Sequence, residues 1–240
     1  MADHWYEIAS LDHFWVRRRF EVLQRLAGEE IRAATEMAEI GCGNGLLQRQ
    51  IEDTLQKGVT GFDLNEYALK RNISRSSKVC CYDIFQRDAN LRQRFDVIFL
   101  FDVLEHLADE GKFLDAVCFH LAPRGRLLLN VPAEQWAFSA YDVAAGHQRR
   151  YSFATLDASA KASGLHVENW TYWGLSLLPA LALRKLWLLG RTQQSQIIAA
   201  GFDTRGSALN EALGFVSRCE HLPQKLAGTS LMATLTLASR

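Results

Sequence analysis

The sequence predicts an α/β fold, a mostly parallel sheet with helices on both faces, and three observations carry that prediction. From Glu36 onward, short apolar runs alternate with helical patterns, the mark of successive βαβ units. The stretch MAEIGCGNGL, from Met37 to Leu46, passes from an apolar run through Gly41, Gly43 and Gly45 into helix-forming residues. This is a strand, a tight glycine turn and a helix start, which brings a nucleotide-like ligand against bare backbone. The third observation is SLMATLTLA, Ser230 to Ala238, a β-branched run with no helix after it, which suits an antiparallel strand reached without a crossover.

Length and composition narrow the classes. A chain of 240 residues can bury a full core, and a single domain over 1–240 is expected. Lysines plus arginines and aspartates plus glutamates both number 27, so no global basic field exists to hold nucleic acid. The five cysteines form no CxxC pair, which suits reduced thiols in a cytoplasmic protein and argues against disulfides or zinc. The N-terminal MADHWYEIASLDHFW lacks the basic start and apolar core of a signal peptide. Arg184, Lys185 and Pro179 interrupt the most apolar window, Trp173 to Leu189, which falls short of the ~18 apolar residues of a span. Peripheral membrane contact through 174–190 stays open.

The elements follow in order. Phe14, Phe20, Leu23 and Leu26 recur at helical spacing, so Leu11 to Leu26 reads as an amphipathic helix within a helical lead-in of 1–34, and Arg17, Arg18 and Arg19 read as a solvated face, with anion binding as the alternative. The first strand is Glu36 to Ile40 and its helix Leu46 to Leu55. A strand at Val59 to Phe62 ends in Asp63, a helix covers Glu66 to Asn72, and a strand at Lys78 to Tyr82 is closed by Asp83. FDVIFLFDVLEHL, Phe95 to Leu107, supplies a buried strand and a turn. A helix at Phe113 to Leu121 and the punctuation of Pro123 and Gly125 precede a strand at Arg126 to Val131. Residues 132–151, aromatic and polar without a clean period, read as a substrate loop or a short irregular helix. A helix at Phe153 to Ala162 stops at Gly164, and Leu165 to Tyr172 is a strand. Residues 174–224 form a helical insertion, broken near Gly201 to Gly206, ahead of the last strand.

The glycine spacing selects the ligand. A dinucleotide turn has GxGxxG, with a third glycine where helix packs on strand, and here that position is Leu46. The GxGxG shelf suits a nucleoside without a phosphate requirement. Asp63, at the tip of the second strand, can accept both ribose hydroxyls. Asp83 can accept from an adenine amino group while Ile84 packs on the ring.

These residues resemble a known family. AEIGCGNG, GFDLN, YDIF, FDVIFLFDVLEHL and LAPRGRLLLNVP look like the successive motifs of class I S-adenosylmethionine-dependent methyltransferases. GHQRRYSFATLDASAKASGL and GTSLMATLTL are similar to segments of a bacterial subgroup related to ubiquinone-pathway O-methyltransferases. The resemblance implies a Rossmann-like, seven-stranded sheet with its last strand antiparallel, S-adenosylmethionine as cofactor and S-adenosylhomocysteine as product. It implies that Glu39, Gly41, Cys42, Gly43 and Gly45 form the cofactor shelf, Glu39 standing where Asp is more usual. Asp63 would bind ribose, Leu64 would pack on adenine, Asp83 with Ile84 would hold its other edge, and Phe101 with Asp102 would complete the methionine pocket. On the residues alone, Cys42 reads as a packing residue.

Two histidines are candidate bases. His106, next to Glu105 after the buried strand, and His147, within GHQRRY, can each take a proton from an acceptor hydroxyl. The plainer reading is that Glu105 and His106 cap the turn. An adjacent pair is poor ligand spacing, so no metal is expected. Trp136, Tyr141 and Arg150 are candidate substrate contacts, as aromatics and a guanidinium can enclose a planar or anionic molecule. The expected function is methyl transfer to an O, N or C atom of a small acceptor, quinone-like, sugar or secondary metabolite. A non-catalytic cofactor-binding module and a nucleic-acid methyltransferase are the alternatives.

Overall fold

The computed structural model describes residues 10–188, 197 and 208–238. Within these, the strands are β1 (Met37–Ile40), β2 (Thr60–Asp63), β3 (Val79–Cys81), β4 (Phe95–Phe101), β5 (Leu121–Pro132), β6 (Leu165–Trp173) and β7 (Ser230–Leu237). They form one sheet in the order β3-β2-β1-β4-β5-β7-β6. Neighbours from β3 to β5 pair parallel, and β7 pairs antiparallel with both β5 and β6. The helices are α1 (Phe14–Ala33), α2 (Leu46–Leu55), α3 (Glu66–Leu69), α4 (Glu110–His120), α5 (Ala140–Ala145), α6 (Phe153–Ala162), α7 (Leu178–Trp187) and α8 (Ala208–Arg218). A Rossmann-like α/β sheet with its last strand antiparallel is therefore what the sequence forms.

The central strand shows why helices cover both faces. Successive side chains on β4 point to opposite sides, and both sides are apolar. Ile98 and Leu100 join a core with Phe113, Leu114 and Val117 of α4 and Leu156 of α6. Val97, Phe99 and Phe101 join the opposite core, with Val22, Leu23 and Ile31 of α1 and Leu47 and Ile51 of α2. Only a strand buried on both faces tolerates the unbroken apolar run VIFLF, Val97 to Phe101.

Several elements differ from the sequence reading. The leading helix runs on to Ala33 through a kink at Ala27, so burial of Ile31 extends it past Leu26. Helix α3 stops at Leu69, short of Asn72, whose side chain caps the following turn at Ser74 and binds Gln48. Strand β5 begins at Leu121, because Leu121 pairs with Phe95 across an irregularity before the register resumes at Val97 and Arg126. Gly125 permits it: a Cβ there would lie 2.8 Å from the Phe95 carbonyl. The loop 132–151 holds the short helix α5, whose N-terminus is closed by Asp142 Oδ2 accepting from Ser139 N at 2.9 Å. The predicted break near Gly201 to Gly206 lies outside the described residues.

The arginine triplet is the main correction. A solvated face was expected, yet Arg18 and Arg19 are 2% and 5% exposed. Arg18 pairs with Glu21 and Glu220, and Arg19 pairs with Asp102. Both guanidiniums occupy the buried stripe of α1 because each finds a carboxylate on another segment, the condition on which charges are buried. Of the five cysteines, all free, Cys80, Cys81 and Cys219 are exposed.

Candidate active site

The site is built on the carboxyl ends of β1, β2 and β4, where an open parallel sheet presents its ligand crevice. Gly41, Gly43 and Gly45 all have positive φ, at 78°, 53° and 78°, a region that glycine enters without steric cost. A Cβ on Gly41 would stand 2.4 Å from Val103. Gly41 N and Cys42 N donate to the Phe62 carbonyl, which pins the shelf to β2. Leu46, at the position a dinucleotide motif gives to glycine, is buried against Val16 of α1.

Asp63 joins two turns. Its carboxylate accepts from Gly43 N at 2.7 Å and from Asn65 N at 2.8 Å, so the glycine shelf and the cap of α3 hold it in place. It lines a cleft of about 200 Å³ together with Arg19, Glu39, Cys42, Phe101 and Asp102.

The lining of this cleft around Arg19, Glu39 and Asp102 is charged and incompletely paired. Arg19 donates to Asp102 Oδ2, Asn130 Nδ2 donates to Asp102 Oδ1 at 2.8 Å, and Trp173 Nε1 donates to Asn130 Oδ1 at 2.9 Å. The Arg19 guanidinium also lies over the rings of Trp15 and Phe101, 4.7 and 5.1 Å from their centroids. Glu39 is 4% exposed and its Oε2 has no hydrogen-bond partner among the described residues. Burial pushes its carboxyl up to about 8; Asp63 and Asp102 push the same way, and Arg19 opposes them. Burial likewise raises Asp102, against Arg19 and Asn130.

Next to His106, which lines the cleft, stand Glu105 and His147. Glu105 is fully buried, and neither carboxyl oxygen has a partner among the described residues. Burial, with Asp102 adding to it, holds this carboxyl well above the usual range. His106 shares a hydrogen bond between Nδ1 and the Gly146 carbonyl at 3.1 Å, which makes Nδ1 the donor and leaves Nε2 with its lone pair. Burial depresses the ring to about 4, with His147 adding to the effect. His147 Nδ1 lies 3.0 Å from Asp142 Oδ1, and its Nε2 lies 3.9 Å from Glu105 Oε1. The two imidazoles meet edge to face at 4.9 Å. Burial acts to raise the Asp142 carboxyl, but the His147 hydrogen bond and the Arg150 charge outweigh it and hold it at about 2. Glu105, His106 and His147 each offer a donor atom within 4.8 Å of the others, a set able to hold a metal ion. Spacing along the chain had offered only the Glu105–His106 pair; the loop brings the third donor.

The predicted residues divide. Glu39, Gly41, Cys42, Gly43, Asp63, Phe101, Asp102 and His106 line the cleft. Gly45 forms the N-cap of α2. Leu64 is 64% exposed beside the cleft, Ile84 is packed in the core, and the Asp83 carboxylate accepts from Phe85 N. Trp136 is half exposed and donates to Glu134, and Tyr141 is buried 6.5 Å from the His147 ring. Arg150 turns inward: it is 6% exposed and donates to Asp142 and to the Ala133 carbonyl. The sequence reading gave Arg19 a site role only as the lesser alternative for the arginine triplet, and it missed Asp142. Arg19 had a signal, since it falls with Val16, Leu23 and Ala27 on the buried stripe of α1. Asp142 had none, because its contacts depend on how the loop closes.

A parallel sheet with a glycine shelf and strand-end acids defines a nucleoside-binding domain of the Rossmann-like class. Residues 11–187 match the family described as a methyltransferase domain, and the chain belongs to that family. A protein of Mycolicibacterium smegmatis named a probable S-adenosylmethionine-dependent methyltransferase is 30% identical over 167 residues, 66% of this chain and 62% of its own length. A ubiquinone biosynthesis O-methyltransferase of Nitrobacter winogradskyi is 32% identical over 117 residues, 47% of this chain and 44% of its own length. The matches thus span about half the length of these curated relatives. A solved S-adenosylmethionine-dependent methyltransferase of Archaeoglobus fulgidus shares the fold, with a TM-score of 0.57 at 15% identity, over 92% of this chain and 94% of its own.

Proposed function

We propose that the chain transfers the methyl group of S-adenosylmethionine to the hydroxyl of a small, planar acceptor. The observation that carries this reading is one cleft lined by Arg19, Glu39 and Asp63, the groups suited to the donor, and by His106. These donor groups fit the cofactor. Arg19 suits a carboxylate, the unpaired Glu39 Oε2 suits an ammonium, and Asp63, held by two backbone amides, suits a ribose diol. When bound, the cofactor supplies a methyl group already made electrophilic by its sulfonium.

The protein's part is then to align the acceptor oxygen and exclude water. The unpartnered lone pair of His106 Nε2 is the group placed to take the hydroxyl proton. His147, oriented by Asp142, packs against it. The donor set Glu105, His106 and His147 supports a second reading, in which a divalent cation held there lowers the pKa of the acceptor hydroxyl. The relative named a ubiquinone biosynthesis O-methyltransferase supports an oxygen acceptor over an amine.

Calorimetry with S-adenosylmethionine tests the donor half: micromolar binding is expected, and Asp63→Ala should abolish it. Unchanged affinity in that variant would remove Asp63 from the ribose site. Transfer of label from the cofactor to catechols and phenols, with and without added Mg²⁺ or Zn²⁺, tests the acceptor half. Label appearing only on amines would overturn the hydroxyl reading.

A further inference from the structure

Among the described residues, the donor side of the cleft has two more carboxyl groups than cations. Facing Glu39 are Arg19 from α1, Asp63 at the end of β2, Asp102 at the end of β4 and the Cys42 thiol of the shelf. Arg19 is the sole cation among these groups, and Asp102 already holds it. Asp63 has its oxygens on Gly43 N and Asn65 N. Glu39, in contrast, has Oε2 buried with no donor offered to it.

Leaving a bare carboxylate in such a place would cost several kcal/mol, and a buried carboxyl in that position keeps its proton instead. The raised Glu39 carboxyl, at about 8, is what this arrangement gives. An incoming ammonium changes the balance, since it brings N–H donors and a positive charge to the unpartnered oxygen.

We propose that Glu39 reads the ammonium of the cofactor's amino-acid end by proton exchange, so that each binding event expels a proton from Glu39 to solvent. The Glu39 O–H bond breaks, the proton passes to buffer, and the carboxylate accepts N–H from the ligand, which keeps its own protons. This rests on the cofactor assignment above and adds a specificity element to it. A nucleoside thioether without the amino-acid end gains nothing from Glu39.

The sign of the pH dependence follows. Below about pH 8 the free protein carries the Glu39 proton and the complex does not, so affinity rises with pH up to that value and levels off above it.

The experiment is calorimetry at pH 7 in buffers of different ionisation enthalpy, with S-adenosylhomocysteine and with 5′-methylthioadenosine, which lacks the amino-acid end. We expect ~0.9 proton released per S-adenosylhomocysteine, none per 5′-methylthioadenosine, and close to a tenfold tightening of S-adenosylhomocysteine from pH 6.5 to 7.5. Glu39→Gln, checked for folding by its thermal transition, should bind S-adenosylhomocysteine more weakly, with no proton release and a flat pH profile. Binding of S-adenosylhomocysteine without proton release, or equal release with both ligands, overturns the proposal and leaves the cofactor assignment standing. Release that persists in Glu39→Gln and vanishes in Asp102→Asn moves the exchange to Asp102 and also overturns it. Failure of both ligands to bind overturns the cofactor assignment itself.

Discussion

Arg19 of the leading helix donates to Asp102 at the end of β4, and the guanidinium is held between the rings of Trp15 and Phe101. The first helix is thereby a wall of the cleft. Truncating Arg19 to Ala should weaken S-adenosylhomocysteine by roughly 10- to 100-fold, the range for losing a hydrogen-bonded charge. Arg19→Lys should recover part of it, because a point charge replaces the fork. Equal affinity of wild type and Arg19→Ala by calorimetry would remove Arg19 from the binding role.

Gly41 tests the shelf. With φ at +78° and the side chain of Val103 2.4 Å from any Cβ, Gly41→Ala should cost roughly 1–3 kcal/mol in stability through backbone strain and the clash. Val103→Ala in the same chain should return some of that loss, since it opens the space. Urea midpoints of the single and double variants provide the comparison.

Asp142 holds two groups at once, His147 on Oδ1 at 3.0 Å and Arg150 on the same oxygen at 2.8 Å. Asp142→Ala leaves a buried guanidinium without its carboxylate and should destabilise by about 3–5 kcal/mol. The pH dependence follows the same pair. Because the folded carboxyl is depressed to about 2, its contribution is present above the unfolded value of about 4 and is lost as pH falls through 2. It amounts to about 2 kcal/mol. Denaturant titrations at pH 6 and pH 3 should differ less in Asp142→Asn than in wild type.

Glu220 ties the segment before β7 to α1. Its buried carboxylate accepts from Arg18, from Gly174 N and from Leu175 N. Glu220→Ala should destabilise by about 3 kcal/mol and release both backbone amides. A thermal transition within a degree of wild type would show that the contact is dispensable.

The sheet and the donor shelf were legible because local rules dictate them: alternating apolar runs, glycines where φ is positive, and acids at strand tips. The buried arginines were not. Their burial depends on Glu220 and Asp102, more than 80 residues away in each case, and no local pattern announces a distant carboxylate. The GHQRRY loop was read for its charge and aromaticity, with a tie from one Arg or the Tyr as the alternative, and all three are tied: Arg149 is bound to Glu110, Arg150 to Asp142, and Tyr151 to Glu110. Three residues that resemble a binding surface in the sequence fasten the loop so that His147 meets His106. Glu105 shows the same limit from the other side, since its lack of a partner is visible only once its neighbours are in place.

The position of β7 has a consequence for how the chain is made. Among the strands of the sheet β6 pairs with β7 alone, with one further bridge from Tyr172 to Gln224, and β7 also completes the pairing of β5. As synthesis proceeds from the N-terminus, β6 emerges early and then waits, its apolar face and backbone edge unpaired, until the whole insertion has been translated. The interval in which a nascent chain is open to wrong pairing is therefore set by the length of that insertion. A ribosome stalled just before Ser230 should hold a half-built sheet that is readily cut by protease within β6.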